Sequence, residues 1–121
     1  MPLQEHYTYE QVKAILGDRR MDRIGSNTYA AMPTDGSPGQ IDITLHRTQV
    51  ATLYPNGVVR INSDGYRTKV TADRIRRFLP AGWALGAYAK GWILYYHGFG
   101  TTFEDNIALT EQGGYFLPVN G

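Results

Sequence analysis

"QVATLYPNGVVRIN", residues 49–62, decides the fold. Two short runs rich in β-branched residues flank Pro55-Asn56-Gly57. Proline presets the first central position of a turn, and glycine accepts the left-handed backbone at its end. The trio therefore predicts a type I turn closed by a one-residue bulge. Such a turn sets the pairing. Tyr54 faces Val58, Leu53 faces Val59, Thr52 faces Arg60, Ala51 faces Ile61 and Val50 faces Asn62. Successive strand residues point to opposite faces, so Leu53, Val59, Ala51 and Ile61 make a core face. Tyr54, Thr52, Arg60 and Asn62 make a polar one.

Upstream, "IDITLH" (41–46) alternates Ile41, Ile43 and Leu45 with Asp42, Thr44 and His46, the pattern of a half-buried strand. "IGSNTYAAM" (24–32) reads as a first strand, "PTDGSPGQ" (33–40) as a loop and "DRRMDR" (18–23) as a solvated connection. Near the N-terminus, Thr8 and Gln11 form a capping box, with Tyr7 and Val12 at the staple positions. Tyr9, Val12, Ile15 and Leu16 recur at helical spacing and Gly17 supplies a stop, which predicts a helix over about 9–16. Downstream, "SDG" (63–65) reads as a second turn of the same kind, returning the chain through "YRTKV" (66–70) as a third antiparallel strand. "TADRIRRFL" (71–79) predicts a helix over about 72–79. Thr71 is its cap, Asp73 lies in its first turn, and Val70 and Ile75 form a staple. Ile75, Phe78 and Leu79 face inward, Arg77 faces most directly away, and Pro80 stops it. "WALGAYAKGWILYY" (83–96) reads as a hairpin around Lys90-Gly91, and the apolar pieces at 107–109 and 115–119 as edge strands.

The expected architecture is α+β: a twisted antiparallel sheet of about five strands with two short helices. It is one domain over 1–121, with the N-terminal helix, a sheet and helix core over 24–109 and a C-terminal extension over 110–121. A chain of 121 residues suits one domain with its own core. The absence of cysteine excludes a disulfide framework and a thiolate metal site. Net charge is +1, so any surface for an anionic partner must be local. The first residues lack the cationic and apolar regions of a signal peptide, and no apolar run reaches ~18 residues. The expectation is a cytoplasmic chain with no membrane segment.

No residue pattern announces catalysis. His46-Arg47-Thr48 spells H-x-T, half of the motif of two-histidine phosphoesterases, which need a second histidine to pair acid with base. His97 is followed by Gly98 and Phe99, so the second half is missing. Asp42, Asp73, Glu104 and Asp105 lack metal-ligand spacing, and neither a phosphate loop nor G-x-S-x-G occurs. No catalytic residue, cofactor or metal is expected. The charge pattern is more informative. Residues 58–80 hold six cations, Arg60, Arg67, Lys69, Arg74, Arg76 and Arg77, against two anions, Asp64 and Asp73. Arginine is the planar donor suited to phosphate and carboxylate, while Asp73 can pair with Arg76 and Arg77 along the helix. Tyr54 and Tyr66 are expected beside Arg60 on one sheet face. The candidate binding surface is thus Arg60, Tyr66, Arg67, Lys69, Arg74, Arg77, His46 and Tyr54. Three readings stand: a solvated face, a surface for an acidic protein partner, or a surface for nucleic acid or nucleotide. Exposed tyrosines and edge strands leave a homo-oligomer open as well.

"IGSNTYA" (24–30), "LHRTQVATLYPNGVVRINSDGYRTKVTADRIRRFLP" (45–80) and "FEDNIAL" (103–109) together resemble a family of small proteins of unknown function from bacteriophages, prophages and plasmids. The matching residues are Asn27, Thr28, Tyr29, Leu45, His46, Tyr54, Gly57, Asn62, Ser63, Gly65, Arg67, Thr68, Thr71, Asp73, Arg74 and Ile75. Tyr66, Arg76 and Asn106 stand where the family usually has tryptophan, asparagine and glycine. The resemblance implies a mobile-element origin, a small α+β domain and no enzymatic activity. The function expected is that of a non-enzymatic accessory protein in the bacterial host cytoplasm, inhibiting or redirecting a host protein of defence or transcription. Nucleic-acid or nucleotide binding is the alternative. A phosphodiesterase-like enzyme is a second one, and requires a partner acid or base for His46.

Overall fold

The computed structural model describes residues 3–33 and 39–118. Most of the loop expected over 33–40, and the last residues of the C-terminal extension, lie outside them. Two helices and ten strands follow in the order α1 (Tyr9–Leu16), β1 (Met21–Gly25), β2 (Thr28–Ala31), β3 (Ile41–Leu45), β4 (Thr48–Leu53), β5 (Val59–Ile61), α2 (Lys69–Arg76), β6 (Trp83–Tyr88), β7 (Gly91–Tyr96), β8 (Phe99–Thr102), β9 (Ile107–Leu109) and β10 (Tyr115–Phe116). The fold is α+β, but five strands was an undercount. A seven-stranded antiparallel sheet runs β1-β2-β3-β4-β5-β9-β10, and a separate three-stranded one runs β6-β7-β8.

The 49–62 hairpin forms in the expected register, with Ala51 opposite Ile61, Thr52 opposite Arg60 and Leu53 opposite Val59. Gly57 takes φ +90°, and Tyr54 N–H donates to Val58 O at 3.0 Å. A bulge in β4 opposite Ile43 and Thr44 lets Val50 and Ala51 both turn inward. The capping box of α1 also forms: Thr8 Oγ1 accepts from Gln11 N–H, and the Gln11 side chain accepts from Thr8 N–H. Tyr7, Val12 and Leu16 are buried, and the Tyr7 ring stacks on Phe78 at 5.1 Å. One contiguous core joins the inward face of the large sheet, both helices and Trp83, Leu85, Trp92 and Leu94 of the small sheet.

Several expectations are corrected. Residues 24–32 are not one strand: Asn27, at φ +52°, turns the chain between β1 and β2. β1 also takes Met21 to Arg23 from the supposed solvated connection. His46 is not on a strand face but in the β3–β4 turn, at φ +56°. Residues 66–70 form no third strand, and β5 pairs instead with β9, Ile61 opposite Ile107. β9 is therefore interior to the sheet, not an edge. α2 begins at Lys69, capped by Thr68, whose hydroxyl accepts from Thr71 N–H at 3.1 Å. With the start moved three residues, Asp73 leaves the first turn and Val70, 50 % exposed, staples nothing. The 83–96 hairpin turns at Ala89-Lys90, one residue earlier than expected.

Candidate functional site

The basic stretch does not form one patch, because its arginines latch other elements. Arg60 Nη1 donates to Asn106 O at 2.8 Å. Arg74 Nε donates to Thr28 Oγ1 at 2.9 Å and its guanidinium pairs with Asp73. Arg76 Nε donates to Leu85 O at 2.9 Å. Arg77 pairs with Asp73 at 3.0 Å and donates to Gln4 O. Asp73 therefore pairs with Arg77 and Arg74, not Arg76, and Arg77 turns inward to the N-terminal segment. Hydrogen bonds from Arg77 lower the Asp73 pKa; partial burial opposes this, and Arg74 adds to the lowering.

A tighter knot surrounds Asp105. Its carboxylate accepts from Ser63 N–H at 2.8 Å, Ser63 Oγ at 2.7 Å and Gly65 N–H at 3.2 Å. The Arg67 guanidinium lies 3.7 Å away and also covers the rings of Trp92 and Phe103, at 5.1 and 4.6 Å from their centroids. Burial pushes the Asp105 pKa up, but the Ser63 and Gly65 hydrogen bonds and the Arg67 charge outweigh it, leaving the carboxyl below its ordinary value. Ser63, Gly65, Arg67 and Asp105 thus form a structural latch, as Thr28 and Arg74 do between β2 and α2.

What remains open is a groove of about 580 Å³ between the β3–β4 turn and the start of α2. Leu45, His46, Arg47 and Thr48 form one wall, and Tyr66, Thr68, Val70 and Thr71 the other. Its walls are held from behind. His46 N–H donates to Asn27 O at 2.8 Å, Tyr66 N–H to Ser63 O at 2.9 Å, and the Thr68 cap fixes the helix start. Tyr66 is 60 % exposed. Among the described residues the lining holds no carboxylate, and the first turn of α2 has no acidic side chain to neutralise the positive helix end.

Of the expected site residues, the structure brings His46 and Tyr66 together in this groove. Lys69 begins the adjoining helix, exposed and without an ion pair among the described residues. Tyr54 lines a different cavity of about 260 Å³, with Tyr9, Glu10 and Glu111, so it does not join Tyr66. Arg60, Arg67, Arg74 and Arg77 serve as latches. Arg47, which lines the groove, was not among the expected residues because it lies outside the basic stretch. Its signal was a lone cation at the apex between two amphipathic strands. Among the described residues no group of three histidines or acids could hold a metal, and no helix is long and apolar enough to cross a membrane. No known protein family, curated protein or solved structure matches the chain.

Proposed function

We propose that the chain acts by binding and not by catalysis, as an accessory protein of a phage or other mobile element. Its working surface is the groove between the β3–β4 turn and α2, and its partner is a host protein that inserts an acidic, partly apolar segment there. One observation carries the reading: the lining combines Arg47, His46, an exposed Tyr66 and the apolar Val70 with no carboxylate, beside an acid-free helix start. Arginine and tyrosine are the side chains that concentrate binding energy at protein interfaces. His46 faces neither a second histidine nor a carboxylate in the lining, which supports binding over a phosphodiesterase.

Nucleic acid is the second reading, favoured by the exposed Tyr66 ring beside Arg47. The engagement of the arginines elsewhere weighs against it, since a backbone track needs several free cations. The test is capture from host lysate by wild type and by an Arg47→Glu/Tyr66→Ala variant, with and without nuclease. The reading expects a protein partner that survives nuclease and is lost from the variant. Nuclease-sensitive capture, with affinity falling steeply as salt rises, moves the function to nucleic acid. Equal capture by both proteins overturns the groove.

A further inference from the structure

Four strands end the two sheets, and an unpaired strand edge presents a row of backbone donors and acceptors to any other strand. Three of these edges are guarded. β1 carries Asp22 and Arg23, with Asp22 bridged to Arg19 at 3.1 Å. β10 is two residues long. β6 lies against α2, and Arg76 Nε occupies its outward carbonyl at Leu85. Among the described residues β8 has no such device. Phe99-Gly100-Thr101-Thr102 holds no charge and no proline, pairs with β7 without a bulge, and ends in a Phe99 that is 83 % exposed.

The free backbone groups of β8 can be assigned. Phe103 N–H donates to Trp92 O at 3.0 Å, so residues 92 and 103 are a hydrogen-bonded pair. Antiparallel ladders alternate such pairs with non-bonded ones. Phe99 and Thr101 therefore bond to β7, while the N–H and C=O of Gly100 and Thr102 point outward.

We propose that β8 pairs antiparallel with β8 of a second copy of this chain, about a two-fold axis at Thr101, fusing the two small sheets into one. This register sets Gly100 of each copy opposite Thr102 of the other, so every outward donor meets an outward acceptor. It also sets Phe99 of each copy opposite Phe103 of the other as a non-bonded pair, laying the exposed Phe99 ring along the partner's edge, whereas Phe103 is itself buried under Arg67. A two-fold axis places an edge against itself, so a charged edge would meet its own charges. β8 has none. The outer face beside it, Ile93 and Tyr95 with Gly100 and Thr102, is likewise uncharged and becomes continuous across the axis.

The chain has no cysteine, which makes a direct test available. Thr101→Cys places one thiol at the axis, within the span a disulfide bridges. The proposal expects mild oxidation to give a covalent dimer of this variant and none of Lys90→Cys, at the far hairpin turn. Sedimentation equilibrium accompanies it, comparing wild type with Thr102→Pro and Thr102→Lys. Proline removes an outward donor from each copy and should weaken the dimer on the order of 30-fold, and lysine should do so by self-repulsion. Both act at an exposed edge position where the monomer's fold is retained, checked by circular dichroism. A monomeric wild type up to its solubility limit overturns the proposal. So does a dimer that persists in both folded Thr102 variants, or a Thr101→Cys protein that stays monomeric on oxidation.

Discussion

The turns at 55–57 and 63–65 look alike in sequence, each with a polar residue before a glycine, yet they do opposite things. The Pro55-Asn56-Gly57 turn closes on its own strands: Gly57 N–H donates to Tyr54 O at 3.0 Å and Tyr54 N–H to Val58 O at 3.0 Å. The Ser63-Asp64-Gly65 turn also closes locally, Tyr66 N–H donating to Ser63 O at 2.9 Å, but it is tied besides from about forty residues away by the Asp105 carboxylate, which accepts from both Ser63 and Gly65. A turn satisfied locally returns the chain as a hairpin. One whose N–H groups are also claimed by a distant acceptor directs the chain away from the sheet, here into the cap of α2.

The comparison breaks most visibly at Asp105. Asp105→Ala removes the acceptor of three donors, including the hydroxyl of the fully buried Ser63, and the anion that faces Arg67. Urea unfolding should show a loss of about 3 kcal/mol, because buried donors left without partners carry their full desolvation penalty. A loss below about 1 kcal/mol would mean that water replaces the carboxylate and the turn is local after all. The same group sets an acid response. The folded-state pKa of Asp105 lies below its ordinary 3.8, as does that of Asp73. A lowered carboxyl contributes stability that is fully present above the unfolded value and lost as pH falls through the folded one. Stability should thus hold down to about pH 4 and fall below it. The fall should be shallower in Asp105→Ala.

Gly57→Ala probes the local turn. At φ +90° an added Cβ strains the backbone, and the nearest atom it meets is the movable Glu111 carboxylate at 2.9 Å. The expected loss in the same urea experiment is about 1–2 kcal/mol, smaller than at Asp105. If it exceeded the Asp105 effect, the ranking of long-range over local closure would be reversed.

The same distinction explains what was legible in the sequence. The 49–62 register and α1 were readable because their determinants, a Pro-Asn-Gly turn and a Thr-Gln box, lie within a few residues of what they control. The β5–β9 pairing was not, because Ile61 and Ile107 lie far apart in the chain, as do Ser63 and Asp105, whose bond stands beside that pairing. The start of α2 was misplaced because Asp73 and a Val70–Ile75 staple favoured Thr71 as the cap, whereas Thr68 caps the helix and Asp73 serves Arg74 and Arg77 instead. Thr68→Ala should lose about 1 kcal/mol in urea unfolding. The candidate site was half legible. His46 and Tyr66 were found as polar or aromatic residues but expected on strands, whereas the arginines between them stood out only by number, and number does not reveal a latch.

The smallest stability effects belong to the groove. Arg47 and Tyr66 are exposed, and neither side chain has an intramolecular polar contact among the described residues. Arg47→Ala and Tyr66→Ala should each leave stability unchanged within about 0.5 kcal/mol, as surface substitutions away from caps and networks do. Arg74→Ala, by contrast, loses bonds to Thr28 and Asp73 and should destabilise by about 2 kcal/mol. The pair of outcomes separates two kinds of cation that look identical in the sequence. Arginines that hold the fold should change both stability and partner capture, whereas groove residues should change capture alone. An Arg47→Ala protein that unfolds as readily as Arg74→Ala would make Arg47 one more latch and leave the groove without its only guanidinium.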